Sequence, residues 1–312
     1  MASSKFAYVK SYELPDPILP NTYFVVRIDG QSFHRFTEIH GFEKPNDLAA
    51  LELMDEAAKA VMKAYPGEVV LAFGESDEYS FLFRRSCTLF NRRQSKILTS
   101  VVSTFTSAYV FNWPVFFPNK SLQSLPTFDG RVVLYPGGKD VRDYFAWRQA
   151  DTHVNNLYNT TFWALIQQGG MSTAEAHKRL QGTYSNDKNE ILHSQFNVNY
   201  AHLPERYRKG SVLIWKQVAP SDPESNDEPH STSADDVSSS TATEIESDPT
   251  PMVEASPGGA GAVEDRITRK RLKKQQKKRD KELKREVKVD IAVLHCDIID
   301  DAFWAKNDKI LG

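Results

Sequence analysis

The stretch Tyr23-Phe24-Val25-Val26-Arg27-Ile28-Asp29-Gly30-Gln31-Ser32-Phe33-His34 decides how the chain folds. Apart from Arg27, residues 23–28 are aromatic or β-branched, which predicts a strand buried on both faces. That strand ends on a carboxylate and then a glycine. A carboxylate at the mouth of a buried strand must be paired, solvated or bound to a cation, because an unpaired buried charge is too costly. A second such place is Val69-Val70-Leu71-Ala72-Phe73-Gly74-Glu75-Ser76-Asp77-Glu78-Tyr79-Ser80-Phe81-Leu82-Phe83. It reads as strand, turn, strand, with three acids about the turn.

Topology can bring the two stretches together. Residues 45–65 read as a helix: Asp47 lies in its first turn, Leu48, Leu51, Ala58, Val61, Met62 and Tyr65 form an apolar stripe, and Pro66-Gly67 stops it. A longer helix is expected over 92–112 and a further strand over 131–135. The order β-α-β-β-α-β is the ferredoxin-like arrangement of an α+β fold. Its first and third strands are central and antiparallel, so the end of one lies beside the start of the other. Asp29 and Asp77 are therefore expected at one rim of the sheet, although 48 positions separate them. This is the layout of a polymerase palm, where two carboxylates hold two divalent ions and the ions hold a nucleoside triphosphate.

Around that rim, Arg27 shares a strand face with Asp29, and Gly30 allows close backbone approach to a phosphate or metal. Gln31, Ser32, Phe33 and His34 offer backbone N–H groups to an anion. Asp77 and Glu78 are adjacent, so on a strand they face opposite ways. Asp77, nearest the turn, is expected to join Asp29; Glu78 is expected either to support that pair through a neighbour or to be structural. Lys44, Arg84, Arg85, Arg92, Arg93 and Lys96 are expected to surround the rim and suit triphosphate or RNA phosphates.

The chain has 312 residues, 40% hydrophobic and 26% charged, with a formal net charge of −2. That average hides an asymmetry. No Phe, Trp or Tyr occurs from Lys216 through Ala302. Residues 219–265 carry 12 acids and no Lys or Arg, whereas residues 266–288 carry 13 basic residues against 3 acids. Such composition cannot bury enough surface to order itself, so 218–288 reads as a disordered acidic insert leading into a basic segment. The rest divides into an arm (1–20), a palm (21–136), a helical part ending in a strand (137–217) and a terminal piece (289–312) that docks back on the body. Two cysteines, Cys87 and Cys296, make neither a disulfide framework nor a metal motif, which fits a reducing compartment. No run approaches the roughly 20 apolar residues of a membrane helix, and the N-terminus has no signal-peptide core. Cytoplasmic or nuclear residence is expected, away from membranes.

Beyond residue 136 the pattern turns helical, over 139–158 and 159–168, as two helices or one broken helix closed by Gly169-Gly170. Ser172-Thr173-Ala174-Glu175 is a capping box. Another helix is expected over 186–196 and a strand over 210–217. With Trp147, Arg148, Tyr158, Lys188, Asn199 and Tyr207, His153 could form a stacking and basic surface for RNA.

Several stretches together resemble the eukaryotic histidine tRNA guanylyltransferases. They are Arg27-Ile-Asp-Gly-Gln-Ser-Phe-His-Arg-Phe36, Gly74-Glu-Ser-Asp-Glu-Tyr-Ser-Phe81, Trp147-Arg-Gln-Ala-Asp-Thr-His-Val-Asn-Asn-Leu-Tyr-Asn-Thr160, Asp187-Lys-Asn-Glu-Ile-Leu192 and Tyr207-Arg-Lys-Gly210. The resemblance runs to about residue 217 and resumes over 293–304. It implies addition of a guanosine to the 5′ end of histidine tRNA, growing the chain 3′ to 5′. The 5′-phosphate would be adenylylated with ATP, the 3′-hydroxyl of GTP would then displace AMP, and pyrophosphate would leave the new end. It implies Mg²⁺ ions, two per site, on Asp29, the Gly30 carbonyl and Asp77, with Glu78 also catalytic. Nucleotide contacts would come from Asp29 through His34, Ser76 and Asp77. Anticodon contacts would come from His153, Lys188 and Asn199, in a homotetramer built as a dimer of dimers.

Two other readings remain at this level. One is a non-catalytic RNA-binding protein that keeps the fold. The other is a different palm enzyme, such as a nucleotide cyclase or a template-dependent 3′-to-5′ repair polymerase acting on many tRNAs. The presence of both Asp29 and Asp77 weighs against the first.

Overall fold

The computed structural model describes residues 4–218 and 288–312. The acidic insert and nearly all of the basic segment expected above lie outside the described residues. No described helix is long and apolar enough to cross a membrane.

The first strand is β1 (Tyr23–Gly30), followed by a short helix α1 (Phe33–Ile39) and then α2 (Leu48–Ala64). Asp47 caps α2, its carboxylate accepting the Ala50 N–H at 3.0 Å, so the helix begins three residues later than its sequence pattern suggested. A hairpin of β2 (Val69–Glu75) and β3 (Glu78–Phe83) leads to α3 (Gln94–Phe116) and β4 (Phe128–Tyr135). This is the expected β-α-β-β-α-β order. The sheet runs β4-β1-β3-β2 and continues through β5 (Ser211–Val218) and β6 (Lys288–Leu294).

Both faces of the sheet are covered, which explains why β1 is apolar in consecutive positions. Phe24, Val26 and Ile28 pack with Phe81, Phe105, Leu53 and Val61 under α2 and α3. Tyr23 and Val25 face the other way, with Leu71, Phe73, Leu82, Phe145, Ile298 and Trp304. The C-terminal piece thus docks on the body, as its apolar composition suggested, adding the short helix α8 (Asp301–Lys306).

Four helices precede β5: α4 (Gly138–Gln167), α5 (Thr173–Leu180), α6 (Ser185–Phe196) and α7 (Glu205–Lys209). α4 is one continuous helix of 30 residues. It contains no proline to break it after Gly138, and its polar run Asp151-Thr-His-Val-Asn-Asn156 is simply helical. The Ser172–Glu175 capping box forms as expected.

One expectation about charge is overturned. Antiparallel register pairs Phe24 with Phe83 and Asp29 with Glu78. Arg84 and Arg85 therefore sit at the rim opposite Asp29. Arg84 is tied to Glu68 at 2.7 Å, and Arg85 donates to the Asn21 carbonyl. Arg92 precedes α3 in the left-handed region (φ 59°). It is buried, donating to the carbonyls of Ile18, Leu19, Thr22 and Cys87. Arg93 is held by Glu13 and Asp16. Arg85, Arg92 and Arg93 thus hold residues 13–22, Arg84 is engaged by Glu68, and Lys96 lies 5.9 Å from the Phe90 ring centre. Of the six, Lys44 lies close enough to Asp77 to influence its charge.

Candidate active site

The pairing of Glu75 with Glu78 leaves Ser76 and Asp77 as a two-residue hairpin turn. Ser76 takes the left-handed conformation (φ 48°) that such turns require. The turn sits beside the end of β1, and the Gly30 N–H donates to the Asp77 carbonyl at 3.1 Å. A Cβ on residue 30 would stand 2.7 Å from the Asp77 carboxylate and 2.4 Å from the Phe33 ring. Position 30 must be glycine for these groups to meet.

Asp77 has its carboxyl pushed above the ordinary range, first by burial and then by the negative charge of Asp29, while Lys44 opposes the shift. Two carboxylates thus converge from separate strands, and one is reluctant to ionise without a cation. Among the described residues no three His, Cys, Asp or Glu side chains cluster as metal ligands. Asp29 and Asp77 would thus offer two carboxylates and no nitrogen or sulfur ligand. That suits a hard ion such as Mg²⁺, which keeps coordination positions for water and substrate phosphates, rather than a structural zinc.

Glu78 stands directly across from Asp29 on the neighbouring strand and shares its sheet face, and the Asp29 charge adds to the rise of its carboxyl. Its carboxylate receives a two-pronged hydrogen bond from Arg148, at 2.7 Å from Nε and 3.0 Å from Nη2, and Arg27 lies at 3.8 Å. Arg148 also binds Glu75 at 2.5 Å and Asp151 at 3.1 Å. Burial pushes Glu75 up to about 7 and raises Glu78 as well, Arg148 pulling against it in both. Glu78 is thus held by Arg148, with Arg27 close by, on the sheet face it shares with Asp29.

The residues after Gly30 divide. The Gln31 N–H is already given to the Thr127 carbonyl at 2.8 Å, so this backbone donor is not free for a phosphate. The Phe33 ring is buried against Phe36, Tyr109 and Phe128. The exposed His34 lies 2.9 Å from Glu38. Phe33, His34, Lys44, Ser76 and Asp77 nevertheless line one cleft of about 670 Å³, closed on its far side by Tyr158, Trp163 and His177.

A second cleft, of about 500 Å³, lies on the helical part. His153, from α4, and Asn199, from the loop after α6, both line it, together with Asn189, His193 and Arg208. Partial burial, then the Arg208 charge, hold His153 below the usual histidine range and keep its ring neutral near pH 7. Its ring meets Tyr200 edge-on, 5.3 Å between centroids. Lys188 is not in this cleft. Its ammonium donates to the Thr183 carbonyl at 2.8 Å and lies 6.0 Å from the Tyr158 ring centre. On α6, Asn186, Asn189 and His193 share the cleft face, and Lys188 falls on another.

Family models match both parts of the chain: "tRNAHis guanylyltransferase" over residues 6–136 and "Thg1 C terminal domain" over 139–300. The chain belongs to the tRNAHis guanylyltransferase family. This is a family of nucleotidyltransferases. A tRNA(His) guanylyltransferase of Neurospora crassa is 45% identical over 316 residues, covering 100% of this chain and 97% of the relative. The crystal structure of the Saccharomyces cerevisiae tRNA(His) guanylyltransferase superposes with a TM-score of 0.65 at 51% identity, covering 67% of this chain and 93% of that one. A bacterial tRNA(His) guanylyltransferase-like protein in complex with ATP matches with a TM-score of 0.56 at 28% identity, covering 67% and 85%.

In this guanylyltransferase fold, Arg148 carries more of the rim than its sequence suggested. It appeared only as one member of a basic and aromatic surface. Seventy or more positions separate it from Glu75 and Glu78, so pairing required the fold. A weak signal was present: two glutamates flanking a short turn at the end of a buried hairpin need a counter-charge.

Proposed function

We propose that this chain is a tRNA(His) guanylyltransferase that adds a guanosine to the 5′ end of histidine tRNA in the 3′-to-5′ direction. The observation that carries the reading is the nearness of Asp29 to Asp77 at one rim of the sheet, Asp77 lining a cleft that also holds Lys44. In the first step the tRNA 5′-phosphate attacks the α-phosphorus of ATP and pyrophosphate leaves, giving an adenylylated end. In the second the 3′-hydroxyl of GTP attacks that end and AMP leaves. Hydrolysis then removes pyrophosphate from the new terminus.

Asp29, Asp77 and the Gly30 carbonyl would hold two Mg²⁺ ions. When bound, these would neutralise the triphosphate and lower the pKa of the attacking hydroxyl. The chain's own part is positioning. The Gly30–Asp77 contact fixes the two strand ends, Ser76 and His34 line the nucleotide cleft, and Lys44 places a positive charge beside it. Such reactions need alignment and charge stabilisation more than covalent help. His153 and Asn199 would read the anticodon, where base contacts carry sequence information. Lys188 would assist from an adjoining face. Exposed apolar residues on α3, Phe111 at 81% and Val115 at 71%, give a surface for the expected homotetramer. The two free thiols fit residence in the cytoplasm or nucleus.

The test is incubation with 5′-phosphorylated histidine tRNA, ATP, labelled GTP and Mg²⁺, with phenylalanine tRNA as the control. Label should enter histidine tRNA, and only when ATP is present. Equal labelling of both tRNAs would favour a broader repair polymerase. No labelling of either would overturn the assignment.

A further inference from the structure

A chain of hydrogen bonds connects the two clefts. Asn46, which lines the catalytic cleft beside Lys44, donates from Nδ2 to the Asn156 Oδ1 at 3.0 Å. Asn156 donates from Nδ2 to the Tyr200 hydroxyl oxygen at 3.1 Å. The Tyr200 hydroxyl donates to the His153 carbonyl at 3.3 Å. Tyr200 and His153 both line the second cleft.

Three features distinguish this arrangement from ordinary packing. Every link runs in the same donor-to-acceptor sense, so each bond polarises the next. Asn156 is buried and lies between the two clefts, at a smaller pocket that it lines with Asn46, Glu75 and Ser76, so its side chain bridges the two sides. The bonds also join three separate parts of the chain: the loop before α2, the middle of α4 and the turn after α6. A buried amide in this position has no apolar substitute that would satisfy both partners: replacing it takes the acceptor from Asn46 and leaves the Tyr200 hydroxyl with its bond to the His153 carbonyl alone.

We infer that Asn156 is a positioning residue that couples the clefts: RNA seated against His153 fixes Tyr200 and Asn156, and thereby holds the loop at 44–46 in place for catalysis. The identity of the RNA rests on the function proposed above. The coupling itself rests on the hydrogen-bond chain. Lys44 lies two residues from Asn46, so a small displacement of the loop moves a charge that faces Asp77. Coupling between sites usually amounts to severalfold or more in rate or affinity.

The experiment uses the full chain and two RNA fragments, a hairpin carrying the histidine anticodon and a 5′-phosphorylated acceptor-stem duplex. Hydrogen–deuterium exchange is followed over residues 42–47 with and without the hairpin. Protection is expected in the wild type and should be absent in Asn156→Ala and in Tyr200→Phe, which keeps the ring. The hairpin, added in trans, should raise wild-type guanosine addition to the duplex about fivefold. Asn156→Ala should abolish that stimulation while leaving the unstimulated rate within twofold of wild type. Circular dichroism and melting temperature monitor folding, and Tyr200→Phe provides the gentler variant should Asn156→Ala unfold. No protection at 42–47 in the wild type would overturn the coupling, as would protection or stimulation that survives both substitutions. Wild-type failure on intact histidine tRNA would instead overturn the proposed function, because exchange at 42–47 reports on the coupling without catalysis.

Discussion

The Gly30 N–H donates to the Asp77 carbonyl across 3.1 Å, and the Asp77 carboxylate stands where a side chain at position 30 would have to go. The backbone of one strand end and the carboxylate of a hairpin turn thus exclude each other's alternatives. Gly30→Ala should cost activity by separating them. A loss of at least a hundredfold in guanosine addition is expected, since a displacement near 1 Å can cost about that much. Steady-state rates on histidine tRNA, with the melting temperature alongside, check this. Near-normal turnover would show that the contact is incidental.

Asp29→Asn and Asp77→Asn keep shape and remove charge. Both should abolish adenylylation and guanosine addition together, because one carboxylate pair is proposed to serve both steps. The stability of Asp77→Asn should differ from wild type in a favourable direction. Asp77 is held above the ordinary carboxylate range by burial and by Asp29, so removing its charge relieves the folded state. Thermal melting without Mg²⁺ should therefore place Asp77→Asn at or above wild type. A fall of several degrees would contradict the electrostatic account.

Arg148 binds two buried glutamates, so truncating it should strand both. Arg148→Ala is expected to destabilise by roughly 3–5 kcal/mol, the usual cost of breaking a buried pair from one side. Glu78→Gln should be milder than Asp77→Asn in catalysis and should act mainly through stability. Denaturant titration of both variants separates the cases. A Glu78→Gln enzyme that folds normally yet is inactive would make Glu78 a direct participant.

Stability should also depend on pH through Glu75. Burial pushes its carboxyl up to about 7 in the folded chain, above the ordinary glutamate value of 4.5. As pH rises between these values the unfolded chain releases its proton first and binds fewer protons than the folded state, so stability falls. Below that window the contribution is fully present, and above pH 7 it is lost. Glu75→Gln should flatten this part of the profile, measured as melting temperature from pH 4.5 to 7.5. An unchanged slope would place the titration elsewhere.

The palm was legible in sequence because its signals are local. Apolar runs gave the strands, a stripe ending at Pro66-Gly67 gave α2, and the antiparallel order of strands one and three put Asp29 near Asp77. The basic residues were misread for a non-local reason. Taking 92 as a helix start implied a solvated face, but Phe90, Asn91 and Arg92 all adopt positive φ, and Pro17 bridges Arg93. Nothing in a propensity indicates that an arm 70 residues earlier will wrap Arg92 with carbonyls. Arg92→Met should accordingly lower the melting temperature and expose the arm to limited proteolysis, while leaving the salt dependence of RNA binding unchanged. A reduced salt slope would restore Arg92 to the phosphate-binding set.

The second core is completed only by the last residues of the chain, because Ile298, Phe303 and Trp304 cover Val25, Leu71 and Phe73. During synthesis the strands that supply Val25 and Leu71 emerge long before their cover. A nascent chain stalled before residue 290 would present that side of the sheet as a bare apolar surface, which is what folding helpers and quality-control proteases recognise. A chain cut anywhere between the palm and residue 290 would therefore carry Asp29 and Asp77 on a sheet with one apolar side uncovered.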